Sequence, residues 1–427
     1  MSIQKELPEL INAGVISKEN AEKIQDYYAN KKGASGNRLL IVFGILGAIL
    51  IGLGIILIIA HNWDELSRPS KTISSFLPLL IGQIVCGYVL IKKPDSIAWR
   101  ESATAFLFFA VGACIALIGQ IYNIPGNLSS FLLTWMLLCL PLIYLMKSSI
   151  ASLLYLWGIT YYATQTSFWA YPSYGSYLYW LLLLLALPHY YLLYKNKPQS
   201  NFMIFHNWII PLSLVISLGM IIQDMGEPMF IAYFNLFGIL YLVGNLEFFN
   251  QQKTRNNGYK VLGIFGTIIL LLILSFDWFW EELIEKEFPF DEVMAAPEFY
   301  ATVITFLLAS GLFFFEYRNK AWHEIKPLAP VFILFLLTFL LGLSSPIAVI
   351  LINLLVFAIG ILIIREGANQ DRLGKLNFGL LTIAALVICR FFDTDISFVT
   401  RGILFVVIGA GFFAANYLML KKRKANG

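Results

Sequence analysis

Charge is the scarcest property of this chain. Of its 427 residues 13% are Asp, Glu, Lys or Arg, against about 25% in soluble domains, while 59% are hydrophobic and the mean hydropathy is +0.74. That balance excludes a soluble globular protein and points to an all-α polytopic membrane protein. The four cysteines, Cys86, Cys114, Cys139 and Cys389, lie in apolar runs, where a thiol acts as a small hydrophobe. They define neither a disulfide framework nor a redox compartment. The four histidines lack metal-ligand spacing with one another. The sequence holds no Walker motif, dinucleotide fingerprint or nucleophile elbow. No catalytic residue, metal ligand or cofactor is nominated, and a formal charge of +4 gives no reason to expect nucleic acid.

The chain is organised around the run Leu39 to Ala60, 22 residues without a charge, which as a helix of about 33 Å crosses the hydrocarbon core of a bilayer. Gly44, Ala48 and Gly52 fall on one face and Gly47 and Gly54 on the other, so neighbours should approach this helix closely on two sides. From here onward fourteen apolar spans are expected, in bundles at 39–256 (8 spans) and 257–427 (6 spans). Close pairs at Met146-Lys147-Ser148 and Ser344-Ser345-Pro346 leave twelve or thirteen as alternatives. The charges favour fourteen. With the N-terminus inside, only Arg68, Lys71, Lys286, Arg390 and Arg401 of the 30 Lys and Arg fall outside, as positive charge biased to the cytoplasm requires. A miscount of one span would destroy the asymmetry, so both termini are expected to be cytoplasmic.

Residues 1–38 lack a signal-peptide core and read as a cytosolic helical hairpin that stays in the chain. Gly14 terminates its first helix and Ser17 caps the second. The hairpin reads as a packing element or as a protein-docking module.

Polar residues gather in the loops assigned outside. Asn62, Trp63 and Asp64 follow the first span, Gln120, Tyr122 and Asn123 the third, and Arg390, Asp393, Asp395 and Arg401 form the last hairpin. These ten are the candidate ligand-binding residues. Trp63 and Tyr122 also fit an interfacial aromatic belt, and the Arg and Asp residues an ion pair that fixes the hairpin. Ala105, Gly112, Ala116 and Gly119 form a small-residue stripe; if its partner is the first span, Gln120 and Asn62 come together. Pro78, Pro141, Pro188 and Pro211 sit within spans and read as bends for packing or as kinks of a transport path. Ionisable groups stay near span ends: His189, His206 and Glu247 lie nearest to depth, and Asn235 and Asn353 are uncharged mid-span residues. The insertion 277–298 sets eight carboxylates against Lys286 and reads as an amphipathic helix on the outer surface, its acidic side in water.

The segment Leu7 to Ser17, the glycine-rich run into Asn62-Trp63-Asp64 and the stretch Leu117-Ile118-Gly119-Gln120-Ile121-Tyr122 resemble a bacterial family of predicted membrane proteins recorded as a domain of unknown function, the 2157 type. Arg390-Phe391-Phe392-Asp393 with Arg401-Gly402 is similar to the closing hairpin of related uncharacterised families. The resemblance implies a bacterial inner-membrane protein and brings no activity with it. A fainter echo, Trp63-Asp64-Glu65-Leu66 against Trp280-Glu281-Glu282-Leu283, fits a parallel duplication beginning near Asn257. Two functions follow: a carrier or flippase-like protein for a small molecule or lipid, and a non-transporting assembly or envelope-stress protein. The partners are the lipid bilayer, a small-molecule or lipid ligand, and a protein at the hairpin. A polar cavity at the bilayer midplane would separate the two functions.

Overall fold

The computed structural model describes residues 3–26, 42–47, 49–51, 53–54, 57, 66–168, 177–223, 225–391, 397–400, 402–403, 405–407, 409–411, 413–414 and 417. Among them the regular structure is entirely helical. Helix α1 (Ile3–Asn12) is followed by helical stretches at 18–26 and 42–47, and then by α2 (Arg68–Lys92), α3 (Ile97–Ile121), α4 (Leu128–Leu145), α5 (Ser149–Ser167), α6 (Leu178–Asn196) and α7 (Asn201–Leu218). Then come α8 (Pro228–Asn245), α9 (Gly258–Ile273), α10 (Trp278–Glu285), α11 (Phe290–Ala295), α12 (Pro297–Tyr317), α13 (Val331–Gly342), α14 (Ile347–Asn369) and α15 (Leu373–Phe391).

Eight of these are long and apolar enough to cross a bilayer: α2, α3, α4, α7 extended to Ile221, α8, α12, α14 and α15. A ninth arises if α9 and α10, bent by 73° across a short break, count as one broken span. The other runs of the fourteen-span scheme do not meet that standard among the described residues. Helix α5 is rich in Ser, Thr and Tyr, α6 carries four tyrosines and His189, and α13 is only 12 residues long. The runs 39–60 and 398–420 lie largely outside the described residues.

Helix ends follow from local chemistry. Gly14 has φ +68°, and Asn123, Lys147 and Asp371 have φ between 46° and 52°. In each case the next residue's N–H reaches back five residues, as in Ile124 N–H to Gly119 O (2.9 Å), Ser148 N–H to Ile143 O (3.1 Å) and Arg372 N–H to Gly367 O (2.9 Å). These left-handed stops satisfy carbonyls that the helix leaves open. Met146-Lys147-Ser148 is therefore a true break between two helices.

Contacts divide the chain into two compact units, residues 1–162 with 180–198, and 163–179 with 199–427. Within the first, α2 and α3 pack along their lengths and α3 packs on α4. The expected small-residue stripe on α3 is used only in part. A Cβ on Gly112 would sit 2.5 Å from the Trp135 ring of α4, whose Nε1 donates to Phe108 O (2.8 Å), and Ala105 is fully buried. Ala116 is exposed and Gly119 faces open space. In the first apolar run, Gly44 meets Ser102 of α3, whereas Gly47 and Gly54 meet nothing and Leu50, Leu53 and Leu57 are exposed. The two-sided packing expected of that run is absent among its described residues; Gly52 and Ala48 lie outside them.

In the second unit the central element is α8, with 72% of its apolar window buried against 17% for α12. It packs on α9, α12, α13 and α7. Phe234 stacks on Phe335 of α13 at 3.8 Å, and Gly263 of α9 lies where a Cβ would be 2.6 Å from the Tyr241 backbone nitrogen. Helices α14 and α15 form an equally close hairpin: a Cβ on Gly379 would be 2.7 Å from Gly360 O. The insertion 277–298 departs from the expected single surface helix. It forms α10 and α11, and Phe279, Trp280 and Leu283 enter the core, with Trp280 Nε1 donating to Leu274 O (2.8 Å). Glu281, Glu282, Glu285 and Glu287 remain exposed, but Glu298 is fully buried. Aromatic area gained in the core outweighs the interfacial position that acidity alone indicated.

Candidate functional site

Of the ten candidate residues, Gln120, Tyr122, Asn123 and Arg390 are described; Asn62, Trp63, Asp64, Asp393, Asp395 and Arg401 lie outside the described residues. In the first unit, Gln120 closes α3 with its side chain exposed, and Asn123 supplies the left-handed stop, a conformation that Asn tolerates better than most residues. The Tyr122 hydroxyl is 3.1 Å from Thr72 Oγ1 in the second turn of α2, which ties the end of α3 to the start of α2.

In the second unit, Arg390 lies at the end of α15, beside the break between α9 and α10. Its Nη2 donates to Ser275 Oγ (3.3 Å) and its guanidinium lies 4.6 Å from the centre of the Phe276 ring. Ser275 is fully buried, and its carbonyl accepts from Asn353 Nδ2 of α14 (2.9 Å). Mid-span Asn353 and Arg390 thus converge on one interrupted stretch of backbone, Leu274 to Asp277. A broken helix exposes backbone groups that a continuous one would hide, and here the Arg390 guanidinium is held beside them over an aromatic ring. The arrangement suits recognition of an anionic or carbonyl-bearing group.

Buried carboxyl groups were not singled out by sequence reasoning. Glu101, in the second turn of α3, is 1% exposed; its Oε1 accepts the N–H of Ser149 (3.1 Å), and its Oε2 accepts the N–H of Ile150 (2.9 Å) and the hydroxyl of Ser148 (2.5 Å). It caps the start of α5 together with Ser148, whose own Oγ accepts the N–H of Ala151 (3.2 Å). Ser149 Oγ lies 3.3 Å from His189 Nε2. With the carboxylate on the helix terminus and not on the imidazole, this is a capping network and not a nucleophilic triad. In the second unit Glu298 does similar work: its Oε1 accepts the N–H groups of Gln223 (2.5 Å) and Met225 (3.1 Å). The signal for both was present only as an acidic residue near the end of an apolar run, which is also the signature of a solvated one.

Two further deep polar side chains bond within the bundle. Asn235 Nδ2 donates to Thr302 O and Thr305 Oγ1 (both 3.3 Å), bridging α8 and α12, and His206 Nδ1 is 2.7 Å from Phe202 O. Among the described residues no group of three or more His, Cys, Asp or Glu is arranged to hold a metal ion.

No curated protein and no solved structure matches the chain. Residues 8–152, the N-terminal third that carries Pro8 to Ser17, Glu101 and Gln120, match the family model described as Predicted membrane protein (DUF2157).

Proposed function

We propose that this membrane protein is a flippase-like carrier that holds the polar group of a small molecule or lipid at Arg390, without ion coupling. The observation that supports it is the interrupted helix at Leu274 to Asp277, where the bend of 73° coincides with the Arg390 guanidinium and the Asn353 amide. Discontinuous helices bring backbone dipoles to a ligand inside a membrane, at a position where a continuous helix offers none. In this reading Asp393, Asp395 and Arg401 complete the end of the second unit, and Asn62, Trp63, Asp64, Gln120, Tyr122 and Asn123 form a polar end on the first. The fourteen-span scheme, cytoplasmic termini, an N-terminal hairpin and a bacterial inner-membrane location belong to the same proposal, resting on the distribution of Lys and Arg. A non-transporting assembly or envelope-stress role is the second reading. It is favoured by Asn235 and His206, whose bonds serve the bundle itself.

The test is the double substitution Arg390→Gln with Asp393→Asn. A carrier site predicts a double variant as stable as wild type in detergent that does not complement a deletion strain, with Gln120→Ala weakened in the same assay. Full complementation by the stable double variant would reduce Arg390 to a structural ion pair.

A further inference from the structure

In the second unit, away in sequence from the Arg390 hairpin, five cations gather from α9, the connection between α12 and α13, and the start of α15. Lys260 stands in the first turn of α9, Lys326 between α12 and α13, Lys320 just after α12, and Arg372 and Lys375 at the start of α15. Among the described residues two carboxylates, Glu316 and Glu366, form ion pairs with members of this group. Glu316 pairs with Lys320 and Glu366 with Lys375, so both are already used. Lys260 and Lys326 meet amide oxygens instead: Lys260 Nζ donates to Asn250 Oδ1 (3.1 Å) and Lys326 Nζ to Asn245 Oδ1 (2.8 Å). Among the described residues neither has a carboxylate partner.

An ammonium carries three donors, and each of these bonds occupies one. Both side chains are half-buried, and Lys326, Lys375, Arg372 and Glu366 all act electrostatically on Lys260. Burial pushes the Lys326 ammonium below the ordinary lysine range, partly offset by Glu316 and Glu366 and reinforced by Lys375 and Lys320. Gathering partly desolvated like charges costs free energy, and an anion brought among them would offset it. The asparagines are themselves fixed: Asn245 Nδ2 donates to Tyr241 O (2.8 Å), which directs Oδ1 to Lys326. Beside the cluster, the last turns of α12 expose Phe314 and Phe315, with Arg318 5.3 Å over the Phe315 ring, and the following loop exposes Trp322 at 91%. Exposed aromatics next to a basic cluster at a span end mark the level of lipid headgroups.

We propose that Lys260 and Lys326, framed by Arg372 and Lys375, bind the phosphodiester of an anionic phospholipid headgroup. Both lysines donate to its non-bridging oxygens, the Asn245 and Asn250 amides hold them in place, and the acyl chains lie along the apolar surface of α12. This site is independent of the ligand reading at Arg390, because it involves neither that residue nor the interrupted helix.

The experiment measures the rise in unfolding temperature of the full-length protein in detergent as phosphatidylglycerol is added, with phosphatidylcholine and soluble glycerol 3-phosphate as parallel arms. Phosphatidylglycerol is expected to stabilise, the other two not, and high salt to remove the effect. Lys260→Gln with Lys326→Gln should weaken apparent phosphatidylglycerol affinity about thirtyfold. Lys260→Arg with Lys326→Arg should retain binding, which separates loss of charge from loss of fold. Lys23→Gln, which removes an exposed pair with Glu19, is the unaffected control. Equal stabilisation by phosphatidylcholine, persistence in high salt, or wild-type affinity in the glutamine variant would overturn the site. Equal stabilisation by glycerol 3-phosphate would overturn the lipid and leave a soluble phosphate ligand.

Discussion

Glu101 offers the sharpest test of how the N-terminal third is held together. Glu101→Ala would leave the N–H groups of Ser149 and Ile150 without acceptors in a site 1% exposed to solvent. Each stranded buried donor costs about 1–3 kcal/mol, so the two N–H groups alone cost about 2–6 kcal/mol. The Ser148 hydroxyl can rotate and adds less. Glu101→Gln keeps one carbonyl oxygen but turns an NH2 toward the other backbone donor, and it removes a negative charge from the start of α5. The lost acceptor costs roughly 1–3 kcal/mol and the helix-terminal charge a further 0.3–1 kcal/mol. The expected order of unfolding midpoints in detergent is therefore wild type, then Glu101→Gln, then Glu101→Ala. Glu281→Gln, on the exposed face of α10, should stay within about 0.5 kcal/mol of wild type. Should both Glu101 variants unfold with wild type, the carboxylate would not cap α5.

Four further outcomes follow from the packing. Gly379→Ala should sharply lower folded yield, because its Cβ would lie 2.7 Å from Gly360 O, whereas Gly374→Ala, with open space around it, should not; similar yields would refute the close α14–α15 contact. Trp280→Ala should cost about 3–5 kcal/mol in an unfolding titration, with Trp280→Phe intermediate, and wild-type stability of the alanine variant would return this segment to the surface. Lys147→Gly should raise stability by roughly 0.5–1 kcal/mol by relieving the left-handed backbone at φ 46°. For topology, a cysteine at Ile124, 57% exposed, should react with an impermeant thiol reagent in intact cells and one at Asn196 should not; labelling at Asn196 from outside would reverse the orientation. Positions 123 and 147 are avoided because both backbones are left-handed.

The sequence by itself determined the class of molecule, because a bilayer penalises every unpaired backbone group and so forces long apolar runs into helices. It also marked Gly14 as a helix stop, since a left-handed residue favours glycine. Similar stops at Lys147 and Asp371 were invisible, as those residue types carry no such preference. The small-residue stripe on α3 was legible as a pattern, but not that Gly112 meets Trp135, a bulky side chain 23 residues away. Only the tertiary structure made α8 the central helix of its unit, drew Trp280 into the core and set Arg390 against the interrupted helix. The same holds for Glu101, Lys260 and Lys326. A charged residue at the end of an apolar run reads identically whether it faces water, caps a helix or joins other cations, and the difference lies in neighbours distant in the chain, such as Ser148, 47 residues from Glu101, and Asn245, 81 residues from Lys326.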